Sequence, residues 1–436
     1  MRTLPPDEAI RTFDENILGY TPEEAQLEAA RGAGLDFSAA RAACPFGVDI
    51  ERLVSLAAEG RLDEAVASVM EAHPWPGIMG RWCNLHCENA MREPGGPEPI
   101  GIKGIERAAA DHSRARPAFR EGALSGKSVA VIGAGSAASG AAYRLRQLGH
   151  EVHVYEQLPV TGGMMFVGFP NFRLPVKVLR QDINYDAWGV VFHGGVKVDE
   201  QVLASLMAKH DAVLVTTGKF KEERLGIPGE DLEGVLDALH YLANFKLGQA
   251  PPIGPRVVVI GAGYTAQDSS RTARRLGCEV QVLYRRSREE MPVHGPRRDF
   301  YIQRQADEGA PYVFQVAPVR VLGSPSGRVI GLECVHTQPG PPDASGRPSF
   351  VLGSDVFTVE CDTVIAAVGE KPDTGWLPPE VLTADGRISV DEGYATCVPK
   401  LFAAGEVAGS SGTEWAFAAG LKAGLSIDRF LRAASS

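Results

Sequence analysis

The clearest pattern of hydrophobic and polar positions is an apolar strand-like run that leads into glycines and then a helix-like segment. It occurs twice, as VIGAGSAASG at residues 131–140 and as VIGAGYTAQD at residues 259–268. In each copy, 16 residues separate the first glycine from the glycine of the next turn. A second strand-like run follows, GHEVHVYE in one copy and GCEVQVLY in the other. The pattern predicts two βαβ units in register.

The glycine positions of such a unit have separate physical roles. The first glycine permits the strand-to-helix turn, the second lets a pyrophosphate approach the backbone, and the third position must be small. The helix that follows offers free N–H groups to the phosphates. Glycines that only terminated strands would not require this helix and second strand, so we predict two dinucleotide sites. The positions are Gly133, Gly135 and Ala138 in the first copy, and Gly261, Gly263 and Ala266 in the second.

The two copies differ at the end of the second strand. The first copy ends on Glu156, where a carboxylate can accept hydrogen bonds from a ribose diol, as the adenosine half of FAD requires. The second copy has Tyr284 there, followed by Arg285 and Arg286. Guanidinium groups pair with a ribose 2′-phosphate, so this site suits NADP(H) better than NAD(H). The alternative for the two arginines is a solvated basic patch.

Two further runs resemble each other, DAVLVTTG at residues 211–218 and DTVIAAVG at residues 362–369. Each predicts a buried strand that ends in a turn of small residues. We expect these turns, with Thr217, Gly218 and Gly369, to lie at the nucleotide sites.

Residues 1 to about 123 are polar, with apolar residues at helical spacing. Residues 310–360 predict antiparallel strands with a surface loop at 339–349.

Near the C-terminus, residues 400–409 predict a strand that ends on Gly405 and Glu406, followed by a helix from Thr413. We expect Glu406 to bind sugar-like hydroxyls and the helix start to face an electron-rich flavin edge. The second unit is therefore predicted to be inserted into the first.

Composition narrows the class of protein. The chain has 436 residues, room for about three domains. Its net charge of −10 argues against nucleic acid as a main partner. No run reaches the roughly 18 apolar residues of a membrane span, and MRTLPPDEAIRTFDEN has no apolar signal region, so we expect a cytoplasmic protein. Its seven cysteines are then expected to be thiols or metal ligands.

The order of motifs resembles the glutamate synthase small subunit, the flavin half of dihydropyrimidine dehydrogenase and related electron-bifurcating transhydrogenase subunits. The resemblance covers essentially the whole chain and includes EQLPVTGGMMFVGFPNFRLP, YRRSREEMP and AAGEVAG. It implies an α/β fold with two Rossmann-like domains and an N-terminal α-helical iron–sulfur domain. The implied domains are 1–123 (iron–sulfur), 124–228 with 364–436 (FAD) and 229–363 (NAD(P)H).

Within the resembling segments, Gly163 and Arg173 are implied as further cofactor-binding residues. One departure is Glu406, where the broader flavoprotein pattern usually has aspartate. The longer carboxylate still reaches toward a ribityl chain.

In the family that the chain resembles, the N-terminal domain binds two four-iron clusters. This chain departs from the cysteine pattern of that domain. In RGAGLDFSAARAACP, the expected cysteines are replaced by Gly32, Leu35 and Ala40, and Cys44 remains. In GRWCNLHCENAM, two cysteines remain and the last is replaced by Met91. The four losses fall on the ligands of one cluster.

The other ligand set is complete. By resemblance it comprises Cys44, Cys83, Cys87 and a non-cysteine ligand from PIGIKGIE, here Glu106. We therefore infer one 4Fe–4S cluster, with thiolates as the usual ligands and a harder carboxylate as the fourth. The alternative is a cluster-free domain with three leftover buried cysteines.

The remaining candidates in the chain are given structural roles. We place His86, between two cysteines, outside the ligand set. The cysteines without paired spacing are expected to be small core residues, and they are Cys278, Cys334, Cys361 and Cys397.

These features predict an electron-transfer flavoprotein oxidoreductase. It would pass electrons between NAD(P)H and, through FAD and one cluster, an iron–sulfur or ferredoxin-like carrier subunit and a catalytic subunit. The resemblance implies a complex of glutamate synthase, pyrimidine dehydrogenase or aldehyde and oxoacid oxidoreductase type. Hydride transfer requires no side-chain acid or base, so no catalytic residue is named. The alternatives are a thioredoxin reductase-like dithiol reductase, which needs a Cys-x-x-Cys absent from the nucleotide domains, and a non-catalytic nucleotide-binding scaffold.

Overall fold

The computed structural model describes residues 2–93, 95–293, 298–342 and 348–433. The N-terminal region is a helical domain, as the polar helical pattern predicts, with one small pair of antiparallel strands that the pattern does not predict. Gly60, at φ +75°, separates two of its helices. The elements are β1 (Arg2–Thr3), α1 (Pro6–Ala9), β2 (Ile17–Gly19), α2 (Pro22–Ala30), α3 (Ser38–Ala43), α4 (Ile50–Ala58), α5 (Leu62–Met70), α6 (Pro76–Trp82), α7 (His86–Ala90) and α8 (Ile102–His112).

The first glycine motif opens a βαβ unit whose first strand, SVAVI, is a nearly continuous apolar run, because both faces of a parallel sheet are covered. Its second strand ends on Glu156, as predicted. The elements are β3 (Ser128–Ile132), α9 (Ser136–Gln147), β4 (Glu151–Glu156), α10 (Met164–Val167), α11 (Val176–Asp182), β5 (Val191–Gly194), α12 (Glu200–Lys209), β6 (Ala212–Val215) and β7 (Lys221–Glu222).

The second glycine motif opens a second unit, with a parallel sheet in the strand order β11-β10-β9-β15-β8 and a three-stranded antiparallel sheet beside it. The elements are β8 (Val235–Asp237), α13 (Ala238–Lys246), β9 (Arg256–Ile260), α14 (Tyr264–Arg275), β10 (Glu279–Tyr284), α15 (Arg298–Asp307), β11 (Tyr312–Phe314), β12 (Val316–Gly323), β13 (Val329–Pro342), β14 (Pro348–Glu360) and β15 (Thr363–Ala366).

The chain then returns to the first sheet. β16 (Glu370–Lys371) pairs antiparallel with β7, so the outgoing and returning connections lie side by side. β17 (Leu401–Ala403) completes the parallel order β17-β6-β3-β4-β5, and α16 (Thr413–Ala433) begins at the residue that the sequence predicts. The second dinucleotide domain is therefore inserted into the first. Of the helices in the described ranges, none has the length and apolar character that a membrane crossing needs.

Three sequence-based expectations about the insert are corrected. The predicted end of the insert at residue 363 lies inside β15, which belongs to the second parallel sheet. β11, expected to be antiparallel, pairs parallel with β10 because it follows α15 in a further βα crossover. The surface loop predicted at 339–349 is shorter, since β13 extends to Pro342 and β14 starts at Pro348; residues 343–347 lie outside the described residues.

The first domain is held together by a close crossing of α9 and α16. A Cβ atom on Gly420 would lie 2.0 Å from the carbonyl oxygen of Ala137, and one on Gly140 would lie 2.3 Å from that of Phe417. Both positions therefore require glycine. The crossing fixes the C-terminal helix against the helix that follows the first glycine motif, which places its N-terminus at the same end of the sheet.

Candidate functional site

The first glycine motif forms a cradle built from backbone. Gly133 has φ +97°, and a Cβ atom there would lie 2.8 Å from the Thr216 carbonyl oxygen. Gly163 has φ +50°, and its Cβ atom would lie 2.6 Å from Cα of Gly135, the N-cap of α9. Side chains are thus excluded on both sides of the helix start, where the first N–H groups of a helix can bind an anionic group. Ala138, one turn into α9, is completely buried.

The carboxylate of Glu156 lies at the edge of this cradle. Its two oxygens accept hydrogen bonds of 2.9 Å from the backbone N–H groups of Ala134 and Leu158. Burial raises the pKa of Glu156, and these hydrogen bonds oppose the rise. Thr217 lies in the turn after the neighbouring strand β6, and its buried Oγ1 has no hydrogen-bond partner among the described residues. An orphaned hydroxyl beside a backbone cradle fits a polar ligand.

The C-terminal strand brings a second carboxylate to the same place. Gly405 has φ +86°, and a Cβ atom there would lie 2.8 Å from Cβ of Ala137 in the first turn of α9. Glu406 follows, half-buried, and burial raises its pKa while the Lys219 charge lowers it. Thr413 then starts α16. The insert thus separates in sequence two halves of one site that the fold joins.

The second glycine motif has the same backbone construction. Gly261 has φ +132°, and its Cβ atom would lie 2.2 Å from the Ala367 carbonyl oxygen. Gly263 is the N-cap of α14 and faces open space, and Ala266 is completely buried. The turn glycines Gly218 and Gly369 both have positive φ, +64° and +126°.

The two arginines after β10 lie in different surroundings. Arg286 is only 7% exposed, and its buried Nε has no hydrogen-bond partner among the described residues. The guanidinium of Arg285 lies 4.8 Å from the ring centroid of Phe350. A buried guanidinium with an unmet donor fits a phosphate ligand better than a solvated patch.

Arg173, implied as cofactor-binding, is placed where the three domains meet. Its guanidinium forms a 2.6 Å ion pair with Asp268, a buried residue in α14 of the inserted domain. It also lies 4.3 Å from the ring centroid of Trp82, which ends α6 of the helical domain. The side chain therefore ties the flavin domain to both neighbours.

A second set of charges strengthens the same junction. The buried carboxylate of Glu308 forms ion pairs with the guanidinium groups of Arg271, at 2.8 Å, and Arg275, at 2.9 Å. Burial alone would raise the pKa of Glu308, but the hydrogen bonds and charges of these arginines lower it to about 2. The Arg275 guanidinium also donates to the Thr12 carbonyl and lies 4.0 Å from the ring centroid of Phe172. The N-terminal segment, the flavin domain and the insert are thus held in one arrangement.

The iron–sulfur candidates converge in the helical domain. Cys44 follows α3, Cys83 follows α6, Cys87 lies in α7 and Glu106 lies in α8. Burial raises the pKa of the Cys83 thiol to about 12, with contributions from the Glu414 and Glu106 charges. Burial also raises the pKa of Cys87, helped by Cys83, Glu88 and Cys44. Thiols whose pKa is raised by burial stay protonated unless a cationic centre binds them as thiolates.

Glu106 supplies the fourth candidate. Burial raises its pKa to about 8, with a further contribution from the Asp182 charge. Its buried Oε1 has no hydrogen-bond partner among the described residues. The Glu106 carboxylate is close enough to contribute to the raised pKa of all three thiols, which fits a fourth ligand of one iron–sulfur cluster.

The positions of the missing ligands are packed with apolar groups. A Cβ atom on Gly32 would lie 2.8 Å from Cγ1 of Val54 and 2.9 Å from Cδ1 of Ile100. Ala40 is completely buried, and Met91 packs against the same core. Leu35 instead faces solvent. Three of the four positions therefore lie in apolar packing, which offers no ligand for a second cluster.

The segment 82–86, the cluster stretch, contains Cys83 and forms hydrogen bonds to the start of α16 through every second residue. Trp82 Nε1 donates to Thr413 Oγ1 at 3.0 Å, and Asn84 Nδ2 donates to Glu414 Oε1 at 2.9 Å. His86 Nε2 lies 2.7 Å from the same Glu414 oxygen. We call these contacts the 82–86/413–414 seam. One ring nitrogen of His86 is thus bound to a carboxylate. Cys83 lies between Trp82 and Asn84, which both contact α16.

The predictions for the unpaired cysteines are mostly confirmed. Cys278, Cys334 and Cys361 are buried, whereas Cys397 is exposed, with its thiol donating to the Glu380 carbonyl at 3.5 Å. The prediction for Cys397 is wrong because the residue lies in an irregular surface segment before β17.

Sequence reasoning missed Trp82, Glu414 and the glycine pair Gly140 and Gly420. The position of Trp82 beside Cys83 was a usable signal. The glycine pair and Glu414 acquire meaning only when α9, α16 and the cluster stretch are in contact.

The geometry defines a two-dinucleotide oxidoreductase with an iron–sulfur domain, and comparison with known proteins agrees. The chain belongs to the pyridine nucleotide-disulphide oxidoreductase family, whose model matches residues 127–422. The model of dihydropyrimidine dehydrogenase domain II, 4Fe-4S cluster, matches residues 9–118. The fold is thus of the FAD and NAD(P) type, and the two matches together support FAD, NADPH and a 4Fe–4S cluster as the cofactors.

Particular relatives span both halves. The NADP(+)-dependent formate dehydrogenase subunit beta of Moorella thermoacetica is 35% identical over 89% of this chain and 59% of its own length. The glutamate synthase [NADPH] small chain of Azospirillum brasilense is 33% identical over 98% of this chain and 94% of its own. The chain therefore spans less than two thirds of the former relative. The structure of Mycobacterium tuberculosis FprA in complex with NADPH has a TM-score of 0.58 at 18% identity, covering 71% of this chain and 85% of FprA, which shows a shared fold.

Proposed function

We propose that this chain is an electron-transfer oxidoreductase subunit that connects NADPH, through FAD and one 4Fe–4S cluster, to a partner protein. The observation that carries the proposal is the 82–86/413–414 seam. It joins the stretch that contains Cys83 and Cys87 to the first two residues of the helix at the flavin cradle. A cluster held there lies beside the flavin site and not at a remote end of the domain.

The flavin would be bound mainly by backbone. Gly133, Gly135 and Gly163 leave room for the pyrophosphate, and Glu156 accepts from the ribose diol of the adenosine half. Glu406 would accept hydrogen bonds from the ribityl chain, and the N-terminus of α16 at Thr413 would orient the electron-rich edge of the ring system.

The nicotinamide nucleotide would bind the inserted domain. Gly261 and Gly263 allow its pyrophosphate to approach the start of α14. Arg286 would place its unmet Nε–H on the 2′-phosphate, and the adjacent Arg285 would add a second positive charge. The choice of NADPH over NADH then depends on the buried guanidinium.

Cys44, Cys83, Cys87 and Glu106 would hold the cluster. When bound, NADPH supplies a hydride, FAD accepts it and releases electrons one at a time, and the cluster carries single electrons. The side chains of this chain align the sites and exclude water around them. No acid or base is needed at the point of hydride transfer.

The partner is proposed from the same site. With the second ligand set replaced by apolar packing, no further carrier is held by the described residues, so an iron–sulfur or ferredoxin-like subunit and a catalytic subunit would follow. The names of the Moorella and Azospirillum relatives are those of a subunit and a small chain. A cytoplasmic location is proposed because all seven cysteines are free, as a reducing compartment requires.

Anaerobic titration of the purified protein with NADPH and, separately, NADH tests the proposal. We expect bleaching of the flavin by NADPH and about four irons and four sulfides per chain. Absence of bleaching by either nucleotide would show that the chain is not an oxidoreductase.

A nucleotide-binding scaffold is the second candidate, and it is supported by the apolar packing at Gly32 and Met91 in place of a second ligand set. NADPH oxidation with an artificial acceptor distinguishes the two, because only the oxidoreductase turns over.

A further inference from the structure

His73 lies beside the proposed fourth ligand of the cluster and has no role in the site so far described. It is 1% exposed and sits between α5 and α6. Its Nε2 points to Oε1 of Glu106 at 3.6 Å, the oxygen that lacks a hydrogen-bond partner among the described residues. The two groups are thus buried face to face.

The tautomer of His73 follows from its other nitrogen. The backbone N–H of Trp75 donates to Nδ1 at 3.2 Å, so Nδ1 is an acceptor and carries no proton. A neutral imidazole then has its proton on Nε2, directed at Glu106. The nitrogen that faces the carboxylate is therefore a donor and cannot also be an iron ligand.

The ring of His73 is held in place by the loop of another ligand. The centroid of Phe46, two residues after Cys44, lies 4.3 Å from that of His73. Lys103, three positions before Glu106, donates to the Cys83 carbonyl at 3.2 Å. The acid Asp182 is occupied by the Ile78 N–H and Arg116. These contacts leave the His73 N–H as the donor available to Glu106 Oε1.

We propose that His73 is a positioning residue for Glu106. Its Nε2–H donates a hydrogen bond to one carboxylate oxygen, so that the other oxygen is directed at the iron. The inference rests on the proposed function, because it requires a cluster on Cys44, Cys83, Cys87 and Glu106. The gap of 3.6 Å exceeds a hydrogen bond, and ligation that moves the carboxylate by some tenths of an ångström closes it.

Two consequences follow for the loaded protein. Partners that orient metal ligands typically change metal affinity by about 10- to 100-fold when removed. Hydrogen bonds near the cluster also set its reduction potential, and a donor on the carboxylate weakens its electron donation to iron. Loss of the donor should therefore release iron faster and lower the potential.

The variants His73→Leu and His73→Gln test this, the second because its amide restores an N–H near the position of Nε2. The matched control is His150→Leu, an equally buried histidine bonded to Asp428 at 2.9 Å and Ser125 at 2.8 Å in the flavin domain. The measurements are the rate of iron loss to a chelator and the cluster potential from an anaerobic titration followed by electron paramagnetic resonance.

We expect His73→Leu to lose iron about 10- to 100-fold faster, at a lower potential, with His73→Gln close to the parent and His150→Leu unchanged. In a Glu106→Cys background, the His73→Leu effect should vanish, because no carboxylate remains to be oriented. Equal iron loss and potential in His73→Leu and the parent would overturn the proposal, as would strong 14N coupling that marks His73 as a ligand. Iron absent from the anaerobically reconstituted parent would overturn the proposed function itself, a separate result.

Discussion

Trp82 Nε1 donates a 3.0 Å hydrogen bond to the hydroxyl oxygen of Thr413, a residue 331 positions further along the chain. Trp82 directly precedes Cys83, and Thr413 is the first residue of the helix at the flavin cradle. The ring centroid of Trp82 also lies 3.8 Å from that of Phe169 and 5.4 Å from that of Tyr264. One indole thus contacts all three domains at the point where electrons would change carrier.

The first prediction concerns this hydrogen bond. Trp82→Phe keeps an aromatic ring but removes the donor, and we expect a loss of about 1 kcal/mol in the free energy of unfolding. Reduction of the cluster after NADPH addition should slow, while flavin bleaching keeps its rate, because only the contact to the cluster stretch changes. Rapid mixing with optical and freeze-quench detection measures both steps.

Trp376→Phe is the control for that experiment. It removes an indole hydrogen bond of similar length, 2.9 Å to the Asp373 carbonyl, outside the seam. Equal cluster reduction rates in the two variants and the parent would show that the Trp82 contact is only structural.

The second prediction is that Gly163→Ala loses FAD. The added Cβ would lie 2.6 Å from Cα of Gly135, at the start of α9, and the residue would keep a positive φ of +50°. Backbone cannot yield as a flexible side chain does, so the cradle must distort, at about 1–3 kcal/mol. The flavin-to-protein absorbance ratio of the purified variant reports the loss.

Gly126→Ala is the matched substitution for Gly163→Ala. It has φ +70° but no atom within 4 Å of its Cβ position, so it carries the backbone strain without the contact. Full FAD content in Gly163→Ala, or equal loss in Gly126→Ala, would contradict the placement of the pyrophosphate.

The third prediction concerns nucleotide choice. Arg286→Gln removes a charge-assisted contact worth about 1.5–3 kcal/mol, so KM for NADPH should rise roughly 10- to 100-fold while that for NADH changes little. Steady-state assays with both nucleotides and an artificial acceptor measure the ratio. Arg320→Gln, an exposed arginine of the same domain paired with Glu333, should leave it unaltered. A parallel rise for both nucleotides would place the 2′-phosphate elsewhere.

The fourth prediction is a dependence of stability on pH from His210. Burial, with the nearby His153 and Lys209, lowers its pKa to about 4. Between pH 6.5 and about 4, the unfolded chain binds a proton at His210 that the folded chain does not bind. The contribution of neutral His210 to the free energy of unfolding is therefore complete above pH 6.5 and decreases as the pH drops to about 4. Urea unfolding of His210→Gln should show a weaker loss over that window.

His240 provides the opposite sign. The hydrogen bond to Asp237 raises its pKa, with Glu222 adding to the effect. Its contribution is present below the unfolded pKa and is lost as the pH rises through the folded value. His240→Gln should therefore change the pH dependence on the alkaline side of 6.5, and an identical pH profile in both variants would refute the assignment of these histidines.

Much of the architecture could be predicted from the sequence because it depends on local chemistry. The turn glycines Gly133 and Gly261 mark strand-to-helix turns that need positive φ, and the helix start at Thr413 follows from a polar residue before an apolar periodic run. The predicted replacement of a whole ligand set by Gly32, Leu35, Ala40 and Met91 came from comparing this stretch with the pattern of the family that the chain resembles.

The sequence by itself determined that two dinucleotide units are present and that one is inserted in the other. Its resemblance to a known family added the prediction that one set of cluster ligands is retained. Only the tertiary structure decided that Arg173 pairs with Asp268, that Trp82 contacts Thr413 and that Cys397 is exposed. Periodicity and turn preferences report on neighbours within a few residues. Contacts between distant segments depend on which surfaces pack together, and a single sequence does not encode that pairing in any local pattern.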